Sequence, residues 1–356
     1  MGNLYQNQLD LHRSPSYTDT LTRKAENVIL RKDDIAITLT GTNNKKDFGY
    51  TYIFNDEKNL LLNQRCGLIR AKGNPYFLSC LLKTHTFLNQ FFESATGGTG
   101  NQANVSTKAM EMFSVNTPSL KEQEKIGQLM ALLDERIATQ NKIIDKLQSL
   151  IKGLNDSLYA QYGDKVLTSF AELGTSYSGL SGKSAQDFGS GKPFITYLNV
   201  YSNNVINEND FQYVAIKNGE KQNIVEYGDV LFTLSSETPE EVGIGSVYLG
   251  KEKVYLNSFC FGIHITNMEV AFPPYLSYYV SSTAFRKFIY PYAQGSTRFN
   301  LCKADFEKAS IKLPTLENQK RIYSILSHID SKIETEIQML NLYNSQKQYL
   351  LRQMFI

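Results

Sequence analysis

Tryptophan is absent from the 356 residues, histidine occurs four times, and the four cysteines, Cys66, Cys80, Cys260 and Cys302, form no Cys-x-x-Cys pair. That spacing argues against zinc ligation or a disulfide framework, and the apolar neighbours point to buried free thiols. His12, His85, His264 and His328 are scattered, with no neighbouring nucleophile or ligand spacing, so no hydrolytic or metal site is indicated. No apolar run approaches the roughly 18 residues of a membrane span. Polar Asn3, Gln6, Asn7 and Asp10 stand where a secretory leader would carry its apolar core, so a cytoplasmic location without membrane contact is expected. Charge of one sign is lacking too: 37 basic against 35 acidic residues leave +2, too little to announce a nucleic-acid binder by itself.

What the chain does contain is a folded composition, 42% hydrophobic and 20% charged, with length enough for two globular domains. The 22 tyrosines and 20 phenylalanines suit β-rich domains, where aromatic side chains fit a pleated surface. The organising feature is an internal repeat. Asn104-Val105 and the run Val115 to Ile126 answer Asn300-Leu301 and the run Ile311 to Ile322, in each case at an offset of 196. The match continues to Leu132-Leu133-Asp134 against His328-Ile329-Asp330. Upstream it holds more loosely: Leu62-Asn63 against Leu256-Asn257, Asp34-Ile35 against Asp229-Val230, and Asn3-Leu4-Tyr5 against Asn199-Val200-Tyr201.

Each copy has a β-rich front and a helical back. Short runs such as Ile35 to Leu39, Gly228 to Leu234 and Gly262 to Ile265 are bounded by turn residues, and helical pieces such as Tyr275 to Arg286 interrupt them. In the backs, Ile126, Leu129, Leu133, Ile137, Ile144, Leu147, Ile151, Leu154 and Leu158 follow coiled-coil spacing. The second copy offers Ile322, Ile325, Ile329, Ile333, Leu340, Tyr343, Leu350 and Met354. Both seams break together, at Gln140 and Glu336, and Lys347 is a further polar position. Any long core helix of a bundle reads similarly, but equal length and a shared polar interruption favour pairing of these two helices within the chain. Pro118 and Pro314 precede the helices, where a missing N–H costs nothing.

The expected fold class is α+β: two mixed α/β domains in tandem, each followed by a long helix. The helices are expected to pair as an antiparallel coiled coil with pseudo-two-fold symmetry, one interface being used twice. The expected domains are residues 1–117, 118–162 (helix), 163–313 and 314–356 (helix). The first module lacks a counterpart of Leu167 to Leu198 and is expected to be shortened, with an exposed sheet edge as one consequence.

Three segments look catalytic and fail on inspection. Phe272-Pro273-Pro274-Tyr275 is like the Asn/Asp-Pro-Pro-Tyr motif of adenine methyltransferases, but Phe272 cannot accept a hydrogen bond from the target amine. Asn74-Pro75-Tyr76-Phe77 lacks the second proline, and a proline-initiated helix accounts for both. Gly179 to Ser184 ends like a phosphate-binding loop, yet Tyr177 stands where the first glycine is required. A flexible, DNA-facing loop is the expectation there.

The segments Pro118-Ser119-Leu120-Lys121-Glu122-Gln123-Glu124-Lys125-Ile126 and Pro314-Thr315-Leu316-Glu317-Asn318-Gln319-Lys320-Arg321-Ile322 each open a long helix after a globular front. In this the chain resembles the specificity subunits of type I restriction-modification enzymes, and the likeness covers nearly its whole length. The resemblance implies two target-recognition domains reading the halves of a split double-stranded DNA target, with the paired helices setting the gap. It implies adenine-methyltransferase subunits docked on the helical region and restriction/translocase subunits completing the complex. S-adenosylmethionine and ATP would belong to those partners, this chain holding no cofactor and no catalytic residue.

Side chains able to read bases stand in loops of the fronts: Asn43, Asn44, Lys45, Lys46, Asn101 and Gln102 in the first, and Lys183, Ser235, Ser236, Thr297 and Arg298 in the second. The competing readings are a self-contained methyltransferase or nuclease and a coiled-coil scaffold without a DNA role. A ruler makes a distinct prediction. Inserting whole heptads into a long helix should change the spacing of the split target, mapped from methylated adenines, and leave its half-site sequences alone; altered half-sites at unchanged spacing would contradict it.

Overall fold

The computed structural model describes residues 2–13, 15–55, 60–97, 101–162 and 165–355. The chain divides into two units, Met1–Ile143 with Glu336–Ile356, and Ile144–Thr335. Each therefore takes one front and half of each long helix, Leu120–Gln161 and Leu316–Met354, whereas the sequence suggested helices separate from the fronts. The boundary expected at 163 lies outside the described residues.

In the second unit a four-stranded antiparallel sheet runs in the order Gly174–Ser178, Cys260–Ile265, Val230–Thr233, Gly245–Val247. Strand periodicity sends Val230 and Phe232 into one core and Leu231 into another on the opposite face. The first core is aromatic: Phe170 lies 5.4 Å from Phe232 and 5.2 Å from Phe306, ring centre to ring centre. A second sheet joins Gln212–Val214, Phe188–Ile195 and Tyr255–Leu256. A small sheet joins Ser235–Ser236, Phe299–Leu301 and Ala293–Gly295, and Ile311–Pro314 pairs with Lys165–Thr168.

The first unit repeats part of this plan. Its main sheet is Thr51–Ile53, Ile35–Thr38, Cys66–Ile69, and its small sheet is Thr40–Thr42, Gln102–Asn104, Thr96–Gly97. The turn entering the central strand is the same in both units. Asp33 (φ 69°) and Gly228 (φ 92°) occupy it in the left-handed region, and Asp34 or Asp229 follows to accept the N–H of Arg31 or Glu226. Among the described residues Cys66–Ile69 ends its sheet, whereas its counterpart Cys260–Ile265 is flanked on both sides.

Within each unit the helix halves run antiparallel. In the first, Met130 clusters with Leu351, Asp134 pairs with Lys347, and Gln140 meets Glu336, so rising numbers on one helix face falling numbers on the other. In the second, Ile151, Leu154 and Leu158 pack with Ile322 and Leu326. The buried stripe is 123, 126, 130, 133, 137, 140, 144 and its offset-196 partners, an unbroken three-four alternation once polar residues are admitted. Leu129 (45% exposed) and Ile325 (37%) therefore turn outward, and Met130 and Leu326, both 0% exposed, occupy the seam in their place. Ile126, Leu133, Ile137, Ile144, Leu147, Ile151 and Leu154 are buried or half-buried, as are Ile322, Ile329, Ile333, Leu340 and Leu350. Gln140 donates to the Glu336 backbone carbonyl at 3.0 Å and to its carboxylate, a buried polar pair inside an apolar seam.

The recurring glutamine of the Pro-x-Leu-x-x-Gln segments has a clear role. Gln319 donates to the carbonyls of Val270 (2.7 Å) and Pro314 (2.8 Å) and accepts from the Phe272 N–H (2.8 Å), stapling the start of its helix to the turn that opens Pro273–Tyr279. Gln123 keeps one of these bonds, donating to Pro118 at 2.9 Å, and packs against Gly73. Gln319→Ala should therefore lower stability by about 2–4 kcal/mol, because three buried backbone groups lose their partner, against roughly 1 kcal/mol for Gln123→Ala. Urea unfolding midpoints at unchanged slope provide the measurement.

Candidate nucleic-acid interface

All six base-reading candidates of the first unit come together at one end of its small sheet. Thr42 pairs with Gln102 across the strands, the Asn43 N–H donates to the Asn101 carbonyl at 2.9 Å, and the Asn44 N–H donates to the Asn101 side chain at 3.2 Å. Lys46 is held in the left-handed region (φ 47°) with its ammonium 5.2 Å from the centre of the Phe92 ring. Asp47 turns back to accept from the Thr42 N–H, so the exposed tip presents amides and ammonium groups: Asn43, Asn44, Lys45, Lys46, Asn101 and Gln102.

The second unit builds the same place differently. The tight link Ser296–Arg298 joins Ala293–Gly295 to Phe299–Leu301. It requires glycine at 295, where φ is 145° and a side-chain carbon would fall 2.1 Å from the Arg298 carbonyl. Arg298 then reaches back across the sheet to the Ser235 hydroxyl at 3.3 Å, while Ser236 donates to Glu241 at 3.1 Å. Thr297 stands exposed beside it. Arg286 ties the neighbouring loop by donating to the carbonyls of Glu240, Val242 and Gly243.

Between these groups opens a cavity of about 480 Å³ whose walls sequence reasoning missed: Tyr197, Leu198, Tyr201, Glu237, Glu241 and Phe259 join Ser235, Ser236 and Arg298. Tyr197 donates to the Ser235 carbonyl at 2.9 Å, and its ring stacks on Tyr201 with centres 6.0 Å apart. Glu241 is held below the usual carboxylate range, first by the Tyr201 hydroxyl and then by Ser236. Leu198 (69% exposed) and Phe259 (57%) leave apolar surface open at the rim. The spacing of Tyr197 and Tyr201, four apart on the short helix Tyr197–Ser202, was the available signal. Guanidinium, carboxylates and apolar faces in one groove are the chemistry of base-edge readout.

Lys183 is not brought into this group. Its ammonium donates to the Ala215 carbonyl (2.7 Å) and pairs with Glu220 (2.5 Å), with only 6% of the side chain exposed. Ser181 exchanges two hydrogen bonds with Gln222, so the loop expected to be flexible and DNA-facing is clasped on both sides. The lookalike catalytic residues are equally committed. Tyr275 is fully buried in the aromatic core. His264 bonds Asp229 at 2.9 Å and stacks on Tyr177, whose hydroxyl bonds the same carboxylate at 2.6 Å. Burial pushes the Asp229 carboxyl up against the pull of those bonds. The four cysteines are free, two of them buried and two half-buried. Among the described residues no group of metal-ligating side chains occurs, and no helix is long and apolar enough to cross a membrane.

Two copies of one α/β frame, each presenting a polar loop cluster from the same small sheet, define a tandem recognition protein. The family model of the type I restriction modification DNA specificity domain matches residues 2–149 and 172–342, and the chain belongs to that family. It is 25% identical over 346 aligned positions to the type I restriction enzyme MjaX specificity subunit of Methanocaldococcus jannaschii, covering 86% of this chain and 76% of that protein. Among solved structures it resembles the type I restriction-modification S subunit from M. genitalium (TM-score 0.56, 14% identity), covering 97% of this chain and 86% of that one. A chain from a structure on assembly and conformational transition of the type I R-M system gives 0.57 at 17% identity, covering 92% and 82%. At these identities the likenesses show the fold. The chain is a non-catalytic DNA-recognition subunit.

Glu220 offers a test of the Lys183 clasp. Lys183 first, then the Lys217 N–H and Gln222, hold its carboxyl down to about 2. A depressed carboxyl contributes stability above its unfolded value, near 4.3, and that contribution is lost as pH falls through the folded value. The Glu220 carboxyl chemical shift should therefore titrate near 2, and Lys183→Met should move the midpoint back up toward the ordinary range.

Proposed function

We propose that this chain selects the target of a type I restriction-modification complex by reading the two halves of a split double-stranded DNA site, one with each unit. The observation that carries the reading is the placement of base-reading side chains on the same small sheet in both units, Asn43, Asn44, Lys45, Lys46, Asn101 and Gln102 in one and Ser235, Ser236, Thr297 and Arg298 in the other. The groove beside Arg298 adds Glu237 and Glu241, which suit the amino group of cytosine, and apolar Leu198 and Phe259, which suit the methyl of thymine. Adenine-methyltransferase subunits bring S-adenosylmethionine, and restriction/translocase subunits bring ATP. Leu132, Leu342 and Tyr349 stand exposed on the helices of the first unit, apolar surface suited to docking such subunits. With a net charge of +2, the chain leaves most phosphate attraction to its partners.

Mapping methylated adenines in cells that carry this chain with its methyltransferase tests the reading. A split motif that disappears when the chain is removed is expected, and methylation indifferent to the chain would overturn it. Arg298→Ala should relax one base of one half-site, by about 1–3 kcal/mol of discrimination, and leave the other half-site unchanged.

A further inference from the structure

Ser235 and Ser236 are consecutive residues of one short strand, and their hydroxyls engage charges of opposite sign. The Arg298 guanidinium donates to Ser235 through Nη2 at 3.3 Å, and Ser236 donates to the Glu241 carboxylate at 3.1 Å. Arg298, Glu237 and Glu241 line the same groove, yet among the described residues no ion pair joins the arginine to either carboxylate. A cation and an anion are thus anchored side by side without being spent on each other. Neither is used up by its anchors. A guanidinium carries five N–H donors, of which Ser235 takes one. A carboxylate accepts about four hydrogen bonds, and at Glu241 Tyr201, Ser236 and Thr238 supply three, leaving one position open.

The rest of the groove decides what these groups can meet. Two carboxylates against one guanidinium make it net negative, and Leu198 and Phe259 stand exposed on its rim, so a phosphate is repelled where a neutral base edge is not. In the major groove a G·C pair presents two neighbouring acceptors, guanine N7 and O6, followed by one donor, the cytosine N4 amine. An A·T pair places its amine donor between two acceptors and ends on a methyl group. A fork of donors beside a single acceptor matches the first order and not the second.

We propose that this groove reads one G·C base pair in the half-site of the second unit, Arg298 donating to guanine N7 and O6 and Glu241 accepting from the amine of the paired cytosine. The inference rests on the DNA-reading function proposed above and adds to it the base pair. Tyr201 acts through Glu241, which makes it a positioning residue. The first unit has no equivalent arrangement. Thr40 pairs with Asn104 there as Ser235 pairs with Asn300, and the residue that follows is Gly41, with no hydroxyl to hold a carboxylate. This device therefore acts on one half-site only.

The test uses the full chain assembled with its methyltransferase subunits and synthetic duplexes carrying the split motif mapped from methylated adenines. Single guanines are replaced by 7-deazaguanine, which lacks N7, and single cytosines by 2-pyrimidinone, which lacks the amine. One G·C pair is expected at which 7-deazaguanine weakens binding of the natural chain at least about fivefold and weakens Arg298→Ala no further. At the same pair 2-pyrimidinone should weaken the natural chain and weaken Glu241→Ala no further. Tyr201→Phe should shrink the 2-pyrimidinone effect and keep the 7-deazaguanine effect, a split that misfolding would not produce. No G·C pair with both dependences, or the two dependences on different pairs, would overturn the proposal. The underlying function is judged separately, by preference of the natural chain for the intact motif over a duplex with both half-sites scrambled; absence of that preference overturns both.

Discussion

The entry of each long helix onto its own recognition domain depends on one buried side-chain amide. At Gln319, in the first turn of the helix, the amide satisfies two carbonyls and one N–H that belong to two other pieces of backbone: the turn before Pro273 and the strand ending at Pro314. Buried backbone groups without partners are costly, so the amide and the turn hold each other in place. The position of Tyr278 against Asp330, and of Tyr323 against Phe272, follows from that entry. The first unit solves the same problem with Gln123 and with Asn74, which caps Pro75–Leu81 and also donates to Glu124 at 2.7 Å. There the helix carries Gly127 where the other carries Tyr323, because a side-chain carbon at 127 would fall 2.3 Å from the Asn74 side-chain oxygen Oδ1.

Between the ends of the helices the seam is specified by a polar pair rather than by its leucines. Interchangeable aliphatic residues tolerate sliding by a heptad. A buried Gln140 whose amide must find Glu336 does not, which is the best-attested role of a buried polar residue in a coiled coil. Frame and loops then divide the work. The frame repeats even where its chemistry changes, Asp34 meeting Arg70 in one unit and Asp229 meeting His264 and Tyr177 in the other. The loops at the end of the small sheet share no such constraint, so amides and lysines occupy one and an arginine over an aromatic groove the other.

Much of this was legible before any coordinates. The offset of 196 located both long helices, and the proline beginning each short helix exposed the methyltransferase lookalike. The helix stripe was read one residue off at 129 and 325, because apolar residues alone were admitted and the true stripe passes through Gln123, Gln140, Gln319 and Glu336. Lys183 looked available in a glycine-rich loop. The partner that engages it, Glu220, lies 37 residues away on a segment no local pattern connects to it. The groove residues Tyr197, Leu198 and Phe259 escaped for a related reason, since exposed aromatic and aliphatic side chains look in sequence like core.

The sequence by itself determined the duplication, the fold class and the pairing partners of the helices, because these rest on periodicity and on repeated spacing, which are one-dimensional properties. Only the tertiary structure decided which of two adjacent apolar residues faces the seam and which polar loop residues are engaged. Those outcomes depend on contacts between residues far apart in the chain, where burial and hydrogen-bond satisfaction, not local preference, choose among side chains that read alike.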